Sequence, residues 1–277
     1  MEILPNIYQI KTGGENIPGL YAPNVFFILG TEKAVFIDTA YGQNDEINSY
    51  IKLWEEKLKP EVSAIILTHR HDDHIGGALK LNKATNGPLI CGEQEIPYIS
   101  KSLTGIRSLT GAKDGDKFNL GNLTLEIIET PGHTSGSICI FLHEQKILFT
   151  GDTVLGGTTT AISPGQGSMA DYIDSLNKLI NYNSLYICPG HGNLINDPQK
   201  KLKNIIKQRI NREDQIIKVL EKGSASAEDM FLQMYKRLDE RLHQSAIGQI
   251  KSHLIKLKNE GKISTTNDVD YSIERKS

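Results

Sequence analysis

Short apolar segments bounded by glycine, proline or asparagine recur along the first 196 residues. Their length and their content of β-branched and aromatic residues predict β-strands. Several follow one another too closely for a crossover helix, which favours antiparallel or mixed sheets. The predicted strands are Ile3–Ile10, Val25–Leu29, Ala34–Asp38, Ala64–Thr68, Leu123–Glu129, Ser137–Leu142, Lys146–Thr150 and Leu185–Cys188.

Three segments of the same region instead repeat apolar residues at helical spacing. They predict helices over Asn44–Leu58, Ile75–Ala84 and Ala170–Ile180. Because strands outnumber helices, we expect an α+β fold in which the helices cover the outer faces of the sheets.

The pattern changes after Asn196. Asp197 and Pro198 are a favourable start for a helix, with aspartate as the N-cap and proline in the first turn. The order of helix, helix, helix and hairpin that follows is typical of a winged-helix module. We therefore predict two domains, 1–196 and 197–277. The predicted C-terminal elements are a helix to about Lys222, helices near Ala227–Arg237 and Gln244–Gly261, and a hairpin over Lys262–Arg275.

Composition narrows the class of protein. With 277 residues, 38% hydrophobic and 23% charged, the chain is globular, which excludes disordered and fibrous proteins. Its three cysteines are far apart and predict neither a disulfide framework nor a thiolate zinc site. The net charge of −2 is uneven: residues 197–277 carry +5, with 17 Lys and Arg against 12 Asp and Glu.

The chain has no feature that predicts a membrane or an export route. No apolar run approaches the roughly 20 residues that span a bilayer. The first ten residues contain neither Lys nor Arg, unlike a secretory signal or a transit peptide. We therefore expect a cytoplasmic protein with no membrane partner.

The segment 63–77 carries the strongest chemical signal. Three imidazoles and a carboxylate within six residues are costly to bury in apolar surroundings. Together they are ligands that suit zinc, iron or manganese. These four residues, which follow the strand that ends at Thr68, are His69, His71, Asp73 and His74.

Three later segments repeat the sequence of apolar strand, tight turn and polar residue. They end in His133, Asp152 and His191, each beside a glycine that permits a sharp turn. With the first cluster they supply seven ligands, enough for two divalent ions. Zinc is the first expectation, with Mn²⁺ or Fe²⁺ as alternatives.

These motifs occur in the order found in the metallo-β-lactamase superfamily, which the chain resembles over about residues 3–196. The resemblance implies a four-layer αβ/βα sandwich with the site at the sheet ends. It also implies two metal positions joined by Asp152 as a bridging ligand. The implied ligands are His69, His71 and His133 for the first metal, and Asp73, His74 and His191 for the second.

A narrower resemblance comes from residues 151–159 and 169–176. They look like the beta-lactamase-like subfamily that includes an animal mitochondrial endoribonuclease and ends in a winged helix. This resemblance implies metal-dependent cleavage of single-stranded RNA, and it makes a mitochondrial location the alternative to the cytoplasm.

The expected reaction follows from two cations that together activate a water for attack on phosphorus or a carbonyl carbon. We expect Asp73 to orient the nucleophile and accept its proton, and Asp152 to fix the distance between the metals. Thr158 and Thr159, in a Gly/Thr-rich loop just after Asp152, are predicted to bind a substrate phosphate. An ordinary surface loop is the alternative.

Other functions stay open on the sequence alone. A glyoxalase II-like thioester hydrolase uses an almost identical ligand set, although the helical tail of that family is not apparent. A winged-helix nucleic-acid-binding protein with a relict metal site is the alternative outside the enzymes. The chain is expected to be a monomer or a homodimer.

The C-terminal domain gives weaker signals. A basic stretch predicts either a solvated helix face or a contact with RNA phosphates. The aromatic platforms that many single-strand binders use are not apparent in this domain. His253 is predicted to lie on the surface or at an interface. The basic residues are Lys200, Lys201, Lys203, Lys207 and Arg209.

Overall fold

Two β-sheets lie face to face in the N-terminal part of the chain, in a computed structural model that describes residues 1–12, 22–106 and 108–274. Strands β1 to β7 form one sheet in sequence order, and the second sheet has the order β12-β11-β10-β9-β8. The strands are β1 Glu2–Leu4, β2 Ile7–Lys11, β3 Asn24–Leu29, β4 Lys33–Ile37, β5 Glu61–Leu67, β6 Leu89–Gly92, β7 Leu109–Ala112, β8 Lys117–Asn119, β9 Thr124–Glu129, β10 Ile138–Leu142, β11 Ile147–Gly151 and β12 Tyr186–Pro189.

Both sheets are mixed, as the sequence predicts. Pairing is antiparallel from β1 to β4 and from β8 to β11. It is parallel from β4 to β7 and between β11 and β12, where helices form the crossover connections. The helices are α1 Asn44–Glu56, α2 Asp72–Ile75, α3 Ala78–Thr85, α4 Ile96–Ser102 and α5 Met169–Ile180, with 3₁₀ turns at Glu93–Glu95 and Glu240–Leu242.

The structure corrects several predicted elements. The strand predicted over Ile3–Ile10 is two strands, because Asn6 adopts a left-handed backbone (φ 62°) in the turn between them. The helix predicted over Ile75–Ala84 is divided by Gly76 and Gly77 into α2 and α3. Strands β6, β7 and β8 and helix α4 were not predicted, because their short apolar runs lack a clear period.

Alternating side chains build four layers. Phe26 and Ile28 of β3 face the second sheet, whereas Phe27 points the other way and packs in the cluster that contains Tyr50 of α1. On the far side, Tyr172 of α5 covers the outer face of the second sheet. Helix, sheet, sheet and helix therefore follow one another, which confirms the predicted α+β sandwich.

The C-terminal region has an apolar core of its own, which includes Ile216, Met230 and Leu254. A three-stranded sheet in the order β13-β15-β14 packs with its helices, which confirms the predicted winged helix. The boundary at 196/197 and the predicted hairpin end at Arg275, which lies outside the described residues, stay predictions. These elements are α6 Pro198–Leu220, β13 Ala225–Ser226, α7 Ala227–Met234, α8 His243–Asn259, β14 Ile263–Thr265 and β15 Asp270–Ile273.

Within the described part of the chain, no helix combines the length and the apolar character needed to cross a membrane.

Candidate metal centre

The seven side chains that the sequence analysis proposes as ligands lie at one edge of the sandwich. They follow the carboxyl end of β5 in the first sheet and the carboxyl ends of β9, β11 and β12 in the second. Pairing within the second sheet directs these last three ends to the same edge. Within each of three overlapping groups, the potential ligand atoms lie within 4.8 Å of one another, so each group could hold a metal ion. The first group is His69, His71 and His133, and the second group is Asp73, His74 and His191. The remaining set, His69, His74 and Asp152, overlaps both.

Three histidine nitrogens converge in the first group. The Nδ1 atom of His71 lies 3.0 Å from His69 Nε2 and 3.1 Å from His133 Nε2. Their other ring nitrogens face oxygen acceptors: His133 Nδ1 donates to the Ala161 carbonyl at 2.9 Å, and His71 Nε2 donates to Gln166 Oε1 at 3.0 Å. Because these bonds hold the ring protons, lone pairs remain on the nitrogens that face one another.

Asp38 orients histidines of both groups, although the sequence analysis assigned it only to the end of a strand. His74 Nδ1 donates to Asp38 Oδ2 at 2.7 Å. The hydroxyl of Thr68 donates to the same oxygen at 2.9 Å, and His69 Nδ1 lies 3.1 Å from that hydroxyl. One buried carboxylate therefore fixes His74 directly and His69 through Thr68. Asp38 follows β4 just as the proposed ligands follow their strands, a signal that the sequence carries.

The second group combines carboxylate and imidazole. His191 Nε2 lies 3.2 Å from Asp73 Oδ2 and 3.1 Å from His74 Nε2. Burial alone would lower the pKa of His74, but Asp38 and Asp152 raise it well above its usual value. The carboxylates therefore favour positive charge at this point, whether a proton or a metal ion supplies it.

Asp152 lies between the two groups. Its Oδ1 is 3.4 Å from His74 Nε2, and its Oδ2 is 3.8 Å from His133 Nε2. Oδ1 is buried and has no hydrogen-bond partner within the described part of the chain. Burial alone would raise the pKa of Asp152, but His74, His191 and His69 hold it well below its usual range. A buried, ionised carboxylate with an unused oxygen fits a cation at this position.

Glycine permits this close packing at two turns. A Cβ atom on Gly190 would lie 2.5 Å from Asp152 Oδ1. Gly151 has a positive φ of 45°, and a Cβ atom there would lie 2.5 Å from the Thr68 hydroxyl. The donor set and its packing suggest divalent metal ions. The assignment of individual ligands to two metals, and zinc as the metal, stay predictions.

Arg70, which lies between two of these histidines in the chain, forms an ion pair with Glu95. Its guanidinium bonds Glu95 at 3.1 Å and lies 4.1 Å from the centre of the Tyr98 ring. Glu95 is fully buried and also accepts from the Thr134 hydroxyl at 2.7 Å and from the Gly136 amide at 2.9 Å. The pair therefore supports the turn that carries His133. Glu95 carries no local sequence signal of this role, because a glutamate in a short helical segment usually lies on the surface.

The ligand cluster opens into a cleft of about 670 Å³ between the two domains. Thr158 and Thr159 line it beside the metal ligands. Their role in substrate binding stays a prediction. The opposite side, here called the arginine wall, comes from the C-terminal domain. It consists of Gln208, Arg209, Arg212, Tyr235, Arg241 and Gln249.

The arginine wall corrects an expectation for the basic stretch. Arg209 does not lie on a solvated helix face: only 6% of it is exposed. The Tyr235 ring stacks on Phe231 at 5.4 Å and carries the Arg212 guanidinium at 4.5 Å, so it holds an arginine in place. His253, expected at the surface or an interface, is fully buried and lines the cleft.

Two family models match the chain. The metallo-beta-lactamase superfamily matches residues 18–191, and the beta-lactamase associated winged helix domain matches residues 226–271. A crystal structure of a metallo-beta-lactamase family protein from Thermus thermophilus has a TM-score of 0.80 at 19% identity. It covers 98% of this chain and 100% of that one, and it shows the same fold.

The curated relatives cover most of the chain. A beta-lactamase-like protein 2 homolog of Caenorhabditis elegans is 31% identical over 240 residues, or 85% of this chain and 78% of that protein. A homolog of the same name in Drosophila melanogaster is 27% identical over 288 residues, or 98% and 96%. An atrochrysone carboxyl ACP thioesterase of Aspergillus fumigatus is 30% identical over 225 residues, or 78% and 65%. The chain therefore belongs to the metallo-beta-lactamase superfamily of metal-dependent hydrolases and carries the winged-helix domain associated with it.

Proposed function

We propose that this hydrolase is an endoribonuclease that cleaves phosphodiesters of single-stranded RNA. One observation carries the proposal: the ligand cluster and the arginine wall face the same cleft. Among the described residues that line it, the only acidic ones are Asp73 and Asp152, and both are proposed ligands. Away from the ligand cluster, the charged side chains of the cleft are therefore cationic.

The arginine wall suits a polyanion. Guanidinium groups bind phosphate oxygens through paired hydrogen bonds, and their planes can also stack on bases. An RNA strand with one phosphate at the ligand cluster would bring a neighbouring phosphate towards Arg212. Arg241 is paired with Asp239 at 2.6 Å and would have to exchange that carboxylate for a phosphate. A small neutral substrate would use neither residue.

Two divalent ions at such a cluster would supply Lewis-acid chemistry and lower the pKa of a bound water. Asp73 lines the cleft, and 23% of its side chain is exposed, so its carboxylate can accept a proton from an attacking water. Asp38 and the Ala161 carbonyl keep the ring protons of His74 and His133 on Nδ1. Thr158 and Thr159 line the same cleft and would donate their hydroxyl groups to a substrate phosphate.

Thioester hydrolysis is the second candidate. It is favoured by the relative whose name identifies it as an acyl-carrier-protein thioesterase. The same residues could act on a carbonyl carbon, because the proposed attack and charge stabilisation do not depend on phosphorus.

The test incubates protein loaded separately with Zn²⁺, Mn²⁺ or Mg²⁺ with end-labelled single-stranded RNA, and in parallel with a thioester. Asp152→Ala removes the proposed bridging ligand. We expect it to lower the metal content of the protein and to reduce turnover by about a thousand-fold or more. Asp174→Ala, which removes an exposed carboxylate of α5, is the matched control and should retain full activity.

The outcomes separate the candidates. RNA cleavage that depends on metal and on Asp152 supports the proposal. Thioester turnover without RNA cleavage would replace it with the second candidate. RNA binding with no turnover of either substrate would favour a nucleic-acid-binding protein with a relict site.

A further inference from the structure

Three consecutive carbonyl groups beside the metal centre each accept a hydrogen bond from a different part of the molecule. The Thr160 carbonyl accepts from Arg209 Nη2 at 2.5 Å. The Ala161 carbonyl accepts from His133 Nδ1 at 2.9 Å, and the Ile162 carbonyl accepts from Ser252 Oγ at 2.8 Å. The Ala161 carbonyl thus orients the proposed metal ligand His133. The carbonyls of Thr160 and Ile162, on either side of it, are held by donors that lie far away in the chain.

Both outer donors belong to the C-terminal region: Arg209 lies on α6 and Ser252 on α8. Only 6% of Arg209 and 4% of Ser252 are exposed. Arg209 is itself held by Gln249 Oε1 at 2.5 Å and lies 5.3 Å from the Tyr172 ring. These donors are therefore built into the interface between the domains, and solvent does not compete strongly for their hydrogen bonds.

The held segment also bonds to the strand end that carries Asp152. The Thr160 hydroxyl donates to the Asp152 carbonyl at 2.6 Å and lies 3.3 Å from the Thr153 carbonyl. A shift of residues 160–162 would consequently move the acceptor of His133 and disturb the backbone of the proposed bridging ligand.

We propose that the C-terminal domain positions the metal ligand His133 through this carbonyl clamp, which consists of Thr160, Ala161 and Ile162 with their donors Arg209 and Ser252. Arg209 and Ser252 are positioning residues, since neither touches the metal ligands. Their loss frees the outer carbonyls, so the Ala161 peptide rotates and the His133 ring proton loses its fixed acceptor. This inference does not depend on the substrate.

Of the two ring protons held on Nδ1 of His133 and His74, the clamp fixes only that of His133. His74, in the second group, is oriented by Asp38 of the N-terminal domain. The ring proton on His74 Nδ1 is therefore an internal reference: a clamp defect should affect His133 and leave His74 unchanged. A general loosening of the fold would affect both.

The experiment records ring nitrogens of ¹⁵N-histidine-labelled, zinc-loaded protein by NMR and measures zinc affinity by competition with a chelator. We expect Ser252→Ala to speed exchange of the His133 ring proton about 10-fold and to weaken zinc binding by about 10-fold, as losses of outer partners of metal ligands do. The His74 proton should exchange as before. Arg209→Met should have the larger effect, and Arg209→Lys should restore part of it.

A matched control removes a hydroxyl group elsewhere in the same domain. Ser264→Ala, in the wing hairpin, should change neither proton nor zinc affinity. Unchanged exchange and affinity in Ser252→Ala would overturn the clamp, and so would equal acceleration of the His133 and His74 protons. If Arg209→Met does not fold, Ser252→Ala alone decides. RNA turnover is not measured, so a failure here is distinct from a failure of the proposed reaction.

Discussion

The two sides of the cleft hold their functional groups in different ways. On the ligand side, buried oxygen acceptors fix ring protons, as Asp38 does for His74 and the Ala161 carbonyl does for His133. On the arginine wall, Arg212 rests on an aromatic ring and forms no ion pair within residues 1–12, 22–106 and 108–274, whereas Arg241 is paired with Asp239 at 2.6 Å. The first side is arranged for fixed geometry, whereas on the second side Arg212 leaves positive charge available for a ligand.

Among the tests of this difference, the largest expected effect comes from a change at Asp38 on the ligand side. Asp38→Asn keeps the shape of the side chain, and asparagine tolerates the left-handed backbone at this position (φ 60°). The neutral amide cannot replace the carboxylate that orients His74 directly and His69 through Thr68. We expect zinc affinity to fall about 10- to 100-fold, measured by chelator competition.

Asp174→Asn is the control for this change, because it neutralises an exposed carboxylate of α5. Wild-type zinc affinity in Asp38→Asn would show that the hydrogen bonds to Asp38 do not support the metal ligands.

A smaller effect is expected from the arginine wall. Arg212→Ala should weaken binding of single-stranded RNA about 10-fold at low salt, because it removes one charged contact with a phosphate. The slope of log affinity against log salt should become shallower by about 0.7. Both the affinity and its salt dependence can be measured by fluorescence anisotropy, with a labelled eight-nucleotide uridine RNA whose linkages are phosphorothioates.

Lys218→Ala removes the same charge from an exposed position of α6 and should leave the slope unchanged. Arg212→Lys should retain the slope but lose affinity, since lysine lacks the planar group that stacks on Tyr235. A slope in Arg212→Ala equal to that of the wild type would contradict the proposed phosphate contact.

The smallest effect is expected from Thr158 and Thr159, which line the cleft beside the proposed ligands. Replacing Thr158 and Thr159 together by alanine removes two neutral hydroxyl groups, each worth about 1 kcal/mol or less to binding. We expect KM for RNA to rise about 2- to 5-fold with kcat unchanged, in steady-state cleavage assays. A fall in kcat with unchanged KM would assign these residues to the reaction instead of to binding.

The sequence could predict features whose residues lie close together in the chain. His69, His71, Asp73 and His74 are close in the chain, so their shared chemistry is visible without a structure. Most strands were predicted because β-branched residues and turn residues mark them locally. Strand β6 was missed, since its four residues have no alternation to read.

Other features depend on contacts between distant segments. Arg209 belongs to a run of basic residues, and only the packing of α6 against α8 and α5 shows that it is buried. Tyr235 acquires its role from Arg212, which lies 23 positions earlier on another helix. Asp38 resembles any polar residue at a strand end until its distance to His74 is known. Local sequence signals therefore predict the proposed ligands better than the groups that hold them.

The carbonyl clamp has a consequence for how this architecture can be inherited. A catalytic domain whose ligand depends on donors from its neighbour cannot exchange that neighbour freely by gene fusion or recombination. A replacement winged helix would have to supply a hydroxyl group at the position of Ser252 and preserve the guanidinium of Arg209. We therefore expect the two domains to be transmitted as one unit, and chimaeras joined at residue 197 to lose metal before they lose their fold.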